Sequence, residues 1–472
     1  MMGGTRSYYD ITLEPFLYLD YGSVGADNIA RPYTGGYGNG WSLFSYFATA
    51  TYGYKDKLYA TGTMRADASS RFGPNNKWGY FPSVSANYII SNENFMKDLT
   101  WLTNLKLRAS YGKNGNQEIP NYAYQNLYRN TENGPVLFRI GNPDVKWETT
   151  TQTNFGMDFT FFNNKLYFSA DYFIKETDDI LLTATPPGLV GDFDPTYFNS
   201  GSVRNKGFEF ALGYQNNDGD FKYGFNGNLA TLKNEVTQLY TYVPNIEDTV
   251  NYTRTTVGLP INAYYGYQFL GIYQNQSEID SYLFANTNGA QPGDMKFRDV
   301  NGDGEINAND RTNIGNPIPK ITYGANFNAS YRGFDISFLL QGVSDVDRYN
   351  DLKQILDYDS RPFNSTTAVL NAWDGEGSSN TMPRLTFNPN GSERISSVMV
   401  EDASYLRLKN LEIGYTFDKK FKTVDNLRVY VSGQNLLTWT DYSGLDPEST
   451  LLKDQGTYPQ MTSVILGVKI KL

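Results

Sequence analysis

The sequence predicts an all-β fold, an antiparallel transmembrane β-barrel wall of about 14 strands. Three observations predict it. Long runs alternate strictly between apolar and polar residues. Short turns alternate with long connections. The strand order sends every long connection to the same side.

The alternation is clearest in NFGMDFTF. Phe155, Met157, Phe159 and Phe161 share one face, while Asn154, Gly156, Asp158 and Thr160 share the other. After the turn pair Asn163-Asn164, Leu166, Phe168, Ala170, Tyr172 and Ile174 continue the apolar face. Ala325, Phe327, Ala329 and Tyr331 alternate in the same way. After Arg332-Gly333, so do Phe334, Ile336, Phe338 and Leu340. The last run sets Val464, Leu466, Val468, Ile470 and Leu472 against Ser463, Gly467, Lys469 and Lys471, with Ile465 as its exception. Successive side chains of a strand point to opposite faces, so each run has one apolar and one polar side. Several runs sustain roughly the ~9–11 residues that a tilted strand needs to cross a bilayer.

The predicted strands fall near 8–20, 41–54, 57–70, 78–90, 103–113, 147–162, 165–184, 201–216, 220–238, 321–333, 334–345, 401–418, 426–438 and 460–472. The tight turns Lys55-Asp56, Asn163-Asn164, Asn217–Gly219, Arg332-Gly333 and Asp418–Asp425 then lie on the periplasmic side. The link 91–102 joins them there, with a short helical turn. The connections 114–146, 185–200, 239–320, 346–400 and 439–459 lie outside the cell. The excursion 239–320 is too long for a structureless loop and should carry structure of its own.

Composition agrees and excludes other classes. Of 472 residues, 38 are Tyr, 29 Phe and 44 Gly, which suits strands with one wet face and many turns. Cys and His are both absent, which removes disulfides, thiolate sites, His-ligated zinc and His-based triads. The charge of −10 gives no basic footprint for nucleic acid. Paired carboxylates such as Asp178-Asp179 carry no second convergent group, so no enzyme is expected. The start, MMGGTRSYYDITLEPF, has no apolar stretch of the kind a signal peptide needs. Arg65, Asp67 and Arg71 read as paired lumen charge at a strand end.

Inside the excursion lies DVNGDGEINAND. Asp299, Asn301 and Asp303 fall at alternate positions, Gly304 permits a sharp bend, and Asp310 closes the run. With the Glu305 carbonyl and Asn307 added, these are the oxygens of a calcium loop, so Ca²⁺ is a candidate cofactor. Asp310 is one methylene shorter than the usual Glu. The same letters also fit a polar loop of Asx turns without an ion. For the aromatic run 263–273, an interfacial girdle and a stacking surface for ligands are both open readings.

Several segments together resemble one family. They include RADASSRFGPNNKWGYFPSVSANYIISNENFM, NPDVKWETTTQTNFGMDFTFFNNKLYFSADYFIKETDDIL, GDMKFRDVNGDGEINANDRTNIGNPIPKITYG and LRVYVSGQNLLTWTDYSGLDPE. This ordered set resembles the C-terminal barrel part of the SusC/RagA family of TonB-dependent outer-membrane receptors. The resemblance implies residence in the outer membrane of a Gram-negative bacterium and import of an oligosaccharide or peptide. It implies a SusD-like surface lipoprotein and TonB as partners, the latter through an N-terminal plug region not visible in 1–472. A complete barrel of this type has about 22 strands, so the chain reads as a portion of a larger barrel. Two rival readings are a self-contained passive porin-like barrel and a calcium-dependent, dockerin-like adhesion module.

Overall fold

The structure is a computed structural model. It describes residues 3–5, 21–23, 33–37, 40–131, 134–184, 189, 191, 193–239, 245–282, 289–358, 364–417 and 426–471. Its main feature is one 14-stranded antiparallel sheet. In chain order the strands are β1 (Leu43–Tyr54), β2 (Leu58–Ser69), β3 (Trp78–Ile89), β4 (Leu102–Asn116), β5 (Glu148–Phe161), β6 (Leu166–Asp178) and β7 (Ser202–Asn216). They continue as β8 (Phe221–Thr231), β9 (Lys233–Gln238), β10 (Ile321–Tyr331), β11 (Phe334–Ser344), β12 (Tyr405–Phe417), β13 (Asn426–Thr440) and β14 (Ser463–Lys471). Each strand pairs with its sequence neighbour. The exception is β9, which extends β8 along β7. The sheet is open among the described residues, with β1 and β14 at its edges.

Every predicted run from 41–54 onward appears in this sheet. The run 8–20 and the turn Asp418–Asp425 lie outside the described residues. The run 220–238 is two strands, β8 and β9, because Leu232 steps out and donates its N–H to the Lys320 carbonyl. The run 165–184 breaks at Asp179, whose φ of 57° lies in the left-handed region. Leu181–Ala184 then leaves the sheet and pairs with Thr196–Asn199. The link 91–102 holds two short 3₁₀ turns, Ile90–Asn92 and Asn94–Met96.

Register confirms the two faces. Phe155 opposes Ala109 and Tyr172, and Met157 opposes Leu107 and Ala170. Phe225 opposes Tyr214 and Phe327, and Ile336 opposes Ile413. Residues directly opposite each other share a face, so these rows form one continuous apolar surface. The other face carries charge in closed pairs. Arg108 reaches Asp158 and Asp171 at 2.8 Å each, and Lys106 reaches Asp158 at 2.8 Å. Arg428 likewise holds Asp335 and Glu412.

In β12 alternation fails for an identifiable reason. In RLKNLE, Leu408 and Leu411 both join the apolar face although three positions apart. The register with β11 shifts there, leaving Lys409 as a bulge, and against β13 Asn435 and Leu436 together face Lys409. A bulge adds one unpaired residue and re-aims side chains around it. Lys409 therefore turns to the polar side and meets Glu448 at 2.7 Å.

Strand contact is tight enough to be tested. A Cβ at Gly342 would lie 2.3 Å from the Tyr405 carbonyl oxygen and 2.7 Å from the Tyr323 ring. Gly342→Ala is expected to destabilise by about 1–3 kcal/mol, because the neighbouring backbone must move. The urea midpoint of the refolded protein measures this, and an unchanged midpoint contradicts it.

Candidate functional site

The long connections at one end of the sheet do not behave as separate loops. Three of them, 239–320, 346–400 and 441–459, pack into one body. Asn245–Asp248, Thr253–Thr256, Ala263–Gly266 and Thr312–Gly315 form a four-stranded sheet. Phe269–Ile272 pairs with Met295–Phe297 beside the short helix Gln276–Tyr282. Asp347–Asn350 pairs antiparallel with Val400–Asp402 and parallel with Lys453–Asp454.

These segments are joined by an apolar core. Tyr264, Ile272, Ile279, Met295 and Phe297 from the first connection meet Tyr349, Tyr358, Met382 and Met399 from the second. Tyr264 and Tyr349 are fully buried, with ring centres 6.3 Å apart. The third connection is attached by hydrogen bonds. The Tyr264 hydroxyl donates to the Leu452 carbonyl, and Arg348 donates to the Leu451 carbonyl at 2.8 Å. Burial pushes the Tyr358 hydroxyl up to about 12, as expected of a phenol removed from water.

The aromatic run 263–273 is therefore neither a membrane girdle nor an open stacking surface. Tyr264 and Tyr273 lie in the core. Tyr265 lies under the guanidinium of Arg254 at 4.3 Å, and Tyr267 under that of Arg394 at 5.0 Å. Sequence reading missed this because the partners come from distant segments.

The six candidate metal residues are all brought into one loop of this body, five at its surface and Asp310 buried. The Asp299 carboxylate accepts N–H bonds from Gly302 at 2.6 Å and Gly304 at 2.7 Å. Both glycines sit at positive φ, 75° and 80°, which lets the backbone wrap around the carboxylate. Asn301 accepts from the Asp303 N–H, and Asp303 from the Glu305 N–H. Asn307 and Asp310 form a capping box over Ala308–Asp310. Asp310 is fully buried and accepts from Val300 at 2.9 Å and Asn307 at 2.8 Å. The loop is thus closed by its own hydrogen bonds. Among the described residues, no three Asp, Glu, His or Cys groups converge as a metal site.

The N–H of Gly304, with that of Gly302, holds the Asp299 carboxyl below the usual aspartate range. A lowered folded value contributes stability that is complete above the unfolded value of ~3.9. That contribution is lost as pH falls through the folded value. Pepsin cleavage within 299–310 is therefore expected to rise only below about pH 4. A rise beginning above about pH 5 would contradict the assignment to Asp299.

A second set of groups ties the body to the sheet. Arg407 on β12 is buried and reaches Asp446 and Glu448 at 2.7 Å each. It also donates to the Thr438 hydroxyl at 2.8 Å. Asp446 and Glu448 belong to the connection 441–459, so this pair joins a strand end to the body. The remaining polar wall is uncharged in places, with Asn226 opposite Asn326 and Gly224 opposite Asn328. The arrangement offers polar surfaces whose charges are already paired.

Comparisons with known proteins agree with this architecture. Residues 3–436 match the family described as TonB dependent receptor-like, beta-barrel. The chain is 34% identical over 468 residues to TonB-dependent receptor P3 of Formosa agariphila, covering 92% of this chain and 46% of that protein. It is 29% identical over 461 residues to TonB-dependent receptor SusC of Bacteroides thetaiotaomicron, covering 91% and 44%. It superposes on the RagAB peptide transporter with a TM-score of 0.81 at 28% identity, over 95% of this chain and 49% of that one. The chain spans about half the length of the curated relatives it matches. Sheet, register and sequence match together establish that the chain belongs to the TonB-dependent receptor β-barrel family and resides in the outer membrane.

Proposed function

We propose that the whole protein imports an oligosaccharide or a peptide across the outer membrane, with a SusD-like surface lipoprotein as its lid. TonB acts on it through a plug region, and this chain supplies barrel wall and the outer body that meets the lid. The observation that carries this reading is the single packed body formed by three connections at one end of the sheet. A preassembled surface there can receive a rigid partner, which separate mobile loops cannot do without a large ordering cost. The RagAB peptide importer, which this chain resembles, is described in closed-closed and open-open states.

A self-contained passive porin is the weaker reading. Both β1 and β14 present an unpaired edge among the described residues. Each unpaired backbone group costs several kcal/mol in hydrocarbon, so those edges call for further strands. The test is growth of a deletion strain on oligosaccharide or peptide as sole carbon source. Loss of growth on one class, restored only when TonB is present, supports import. Uptake that persists without TonB supports the porin and rejects the importer.

For the loop 299–310 we propose Ca²⁺ as an added ligand, held by Asp299, Asn301, Asp303, Glu305, Asn307 and Asp310. The support is the ligand spacing and the second lone pair that each accepting oxygen retains. Calorimetric titration with Ca²⁺ tests it. The absence of heat, with no change in protease sensitivity across 290–315, rejects it. The dockerin-like adhesion reading falls with that result.

A further inference from the structure

We propose that the lipid-facing wall carries a site for one phosphorylated lipid, its phosphate between Lys206 and Lys233 and its acyl chain in the groove below. Lys206 on β7 stands directly opposite Lys233 on β9. Like charges directly opposite each other in a sheet repel, and Glu235, the acid beside them, is ion-paired to Lys233 only. Arg204 is paired with Glu176 at 2.5 Å, and Lys233 with Glu235 at 2.8 Å. Lys206 makes no ion pair among the described residues. The cluster of Lys206, Lys233 and Arg204 against Glu176 and Glu235 is therefore positive overall.

Register places these cations on the apolar face of the sheet. Lys206 opposes Ile174, and one step further along the same face Phe208 opposes Tyr172. Below them lies a groove of about 610 Å³ on the same face. Its floor includes Ala170, and its walls include Phe155, Met157, Tyr172, Phe208 and Phe210. Ala86, Ala109 and Ala170 supply the small side chains of its lining. Tyr172 and Phe208 pack at 4.9 Å between ring centres and form the rim nearest the lysines.

Charge and apolarity are thus continuous along one strip, in the order of a lipid molecule. Cations at this boundary cost the wall little, since the penalty for Lys on the lipid face falls to about 0–1 kcal/mol near the interface. A nearby Lys attracts an anionic headgroup with about 1 kcal/mol, roughly a five-fold preference for each lysine.

The experiment uses the protein purified from outer membranes and reconstituted in phosphatidylcholine vesicles. Association of spin-labelled phosphatidic acid is compared with that of spin-labelled phosphatidylcholine. The native protein is expected to prefer phosphatidic acid. Lys206→Gln with Lys233→Gln should lower that preference about five-fold for each lysine removed. Lys206→Arg with Lys233→Arg should keep it. So should Lys175→Gln with Lys222→Gln, which lie on the opposite, polar face and control for assembly. An unchanged preference in the Lys206/Lys233 glutamine variant overturns the proposal. So does equal loss in the polar-face control, or full displacement of the labelled lipid by inorganic phosphate, which would leave a simple anion site.

Discussion

Arg407→Ala is expected to weaken the mouth of the barrel by about 3–5 kcal/mol, the usual result of removing one partner of a buried ion pair. Arg407 and Asp446 are both buried, so truncation strands the Asp446 carboxylate without a cation. Glu448 loses one partner and retains Lys409 at 2.7 Å. The damage should be local. Trypsin is expected to cut at Lys453 in the variant and to spare that bond in the native protein. The transmembrane part of the sheet should stay folded, because β12 keeps its ladders to β11 and β13. Replacing Arg407, Asp446 and Glu448 together by apolar residues of similar size should recover much of the loss, since a buried pair contributes little net stability over a packed apolar substitute. If Arg407→Ala leaves the proteolysis pattern unchanged, Arg407 does not anchor the outer body.

Asp310→Ala should have the next largest effect. It removes a buried carboxylate and leaves the part-buried N–H groups of Val300 and Asn307 without that acceptor. Each lost acceptor costs about 1–3 kcal/mol. Hydrogen exchange at those two amides is expected to accelerate strongly, while exchange in β10 stays unchanged. Asp310→Glu separates the two roles of this carboxylate. As a clasp for two N–H groups the site has no room for another methylene, and overpacking costs about 1–3 kcal/mol. As a closing cation ligand, Glu is the better length, and stability in Ca²⁺ should rise. The hydrogen bonds that Asp310 accepts favour loss of stability in Ca²⁺-free buffer, measured by the same amide exchange.

The sheet was legible because bilayer and lumen impose opposite solvents on alternate residues. Phe155 to Phe161 show this in the sequence, and their register shows it in the structure. The exceptions have physical causes that alternation cannot carry. Lys409 is bulged against β11, so Leu408 and Leu411 are out of phase in the sequence and in phase in the register. Leu232 gives its N–H to Lys320, so one predicted strand becomes two. The outer body was legible only as a need for structure. Tyr264 from one connection is buried together with Tyr349 and Met399 from another, and no local pattern announces such contacts. The loop Asp299–Asp310 was found by its letters. What its carboxylates bind in the structure, backbone N–H groups, is a property of the turn geometry.

The shared core of the outer body limits how this protein can be altered. Tyr264 of 239–320 fills one apolar space with Tyr349 and Met399 of 346–400, and Arg348 fixes the third connection to them. A graft of any one connection from a relative would import side chains cut to a different interior. Useful chimaeras, natural or engineered, must therefore exchange 239–320, 346–400 and 441–459 as a set. The three segments thus form one cassette rather than three exchangeable loops.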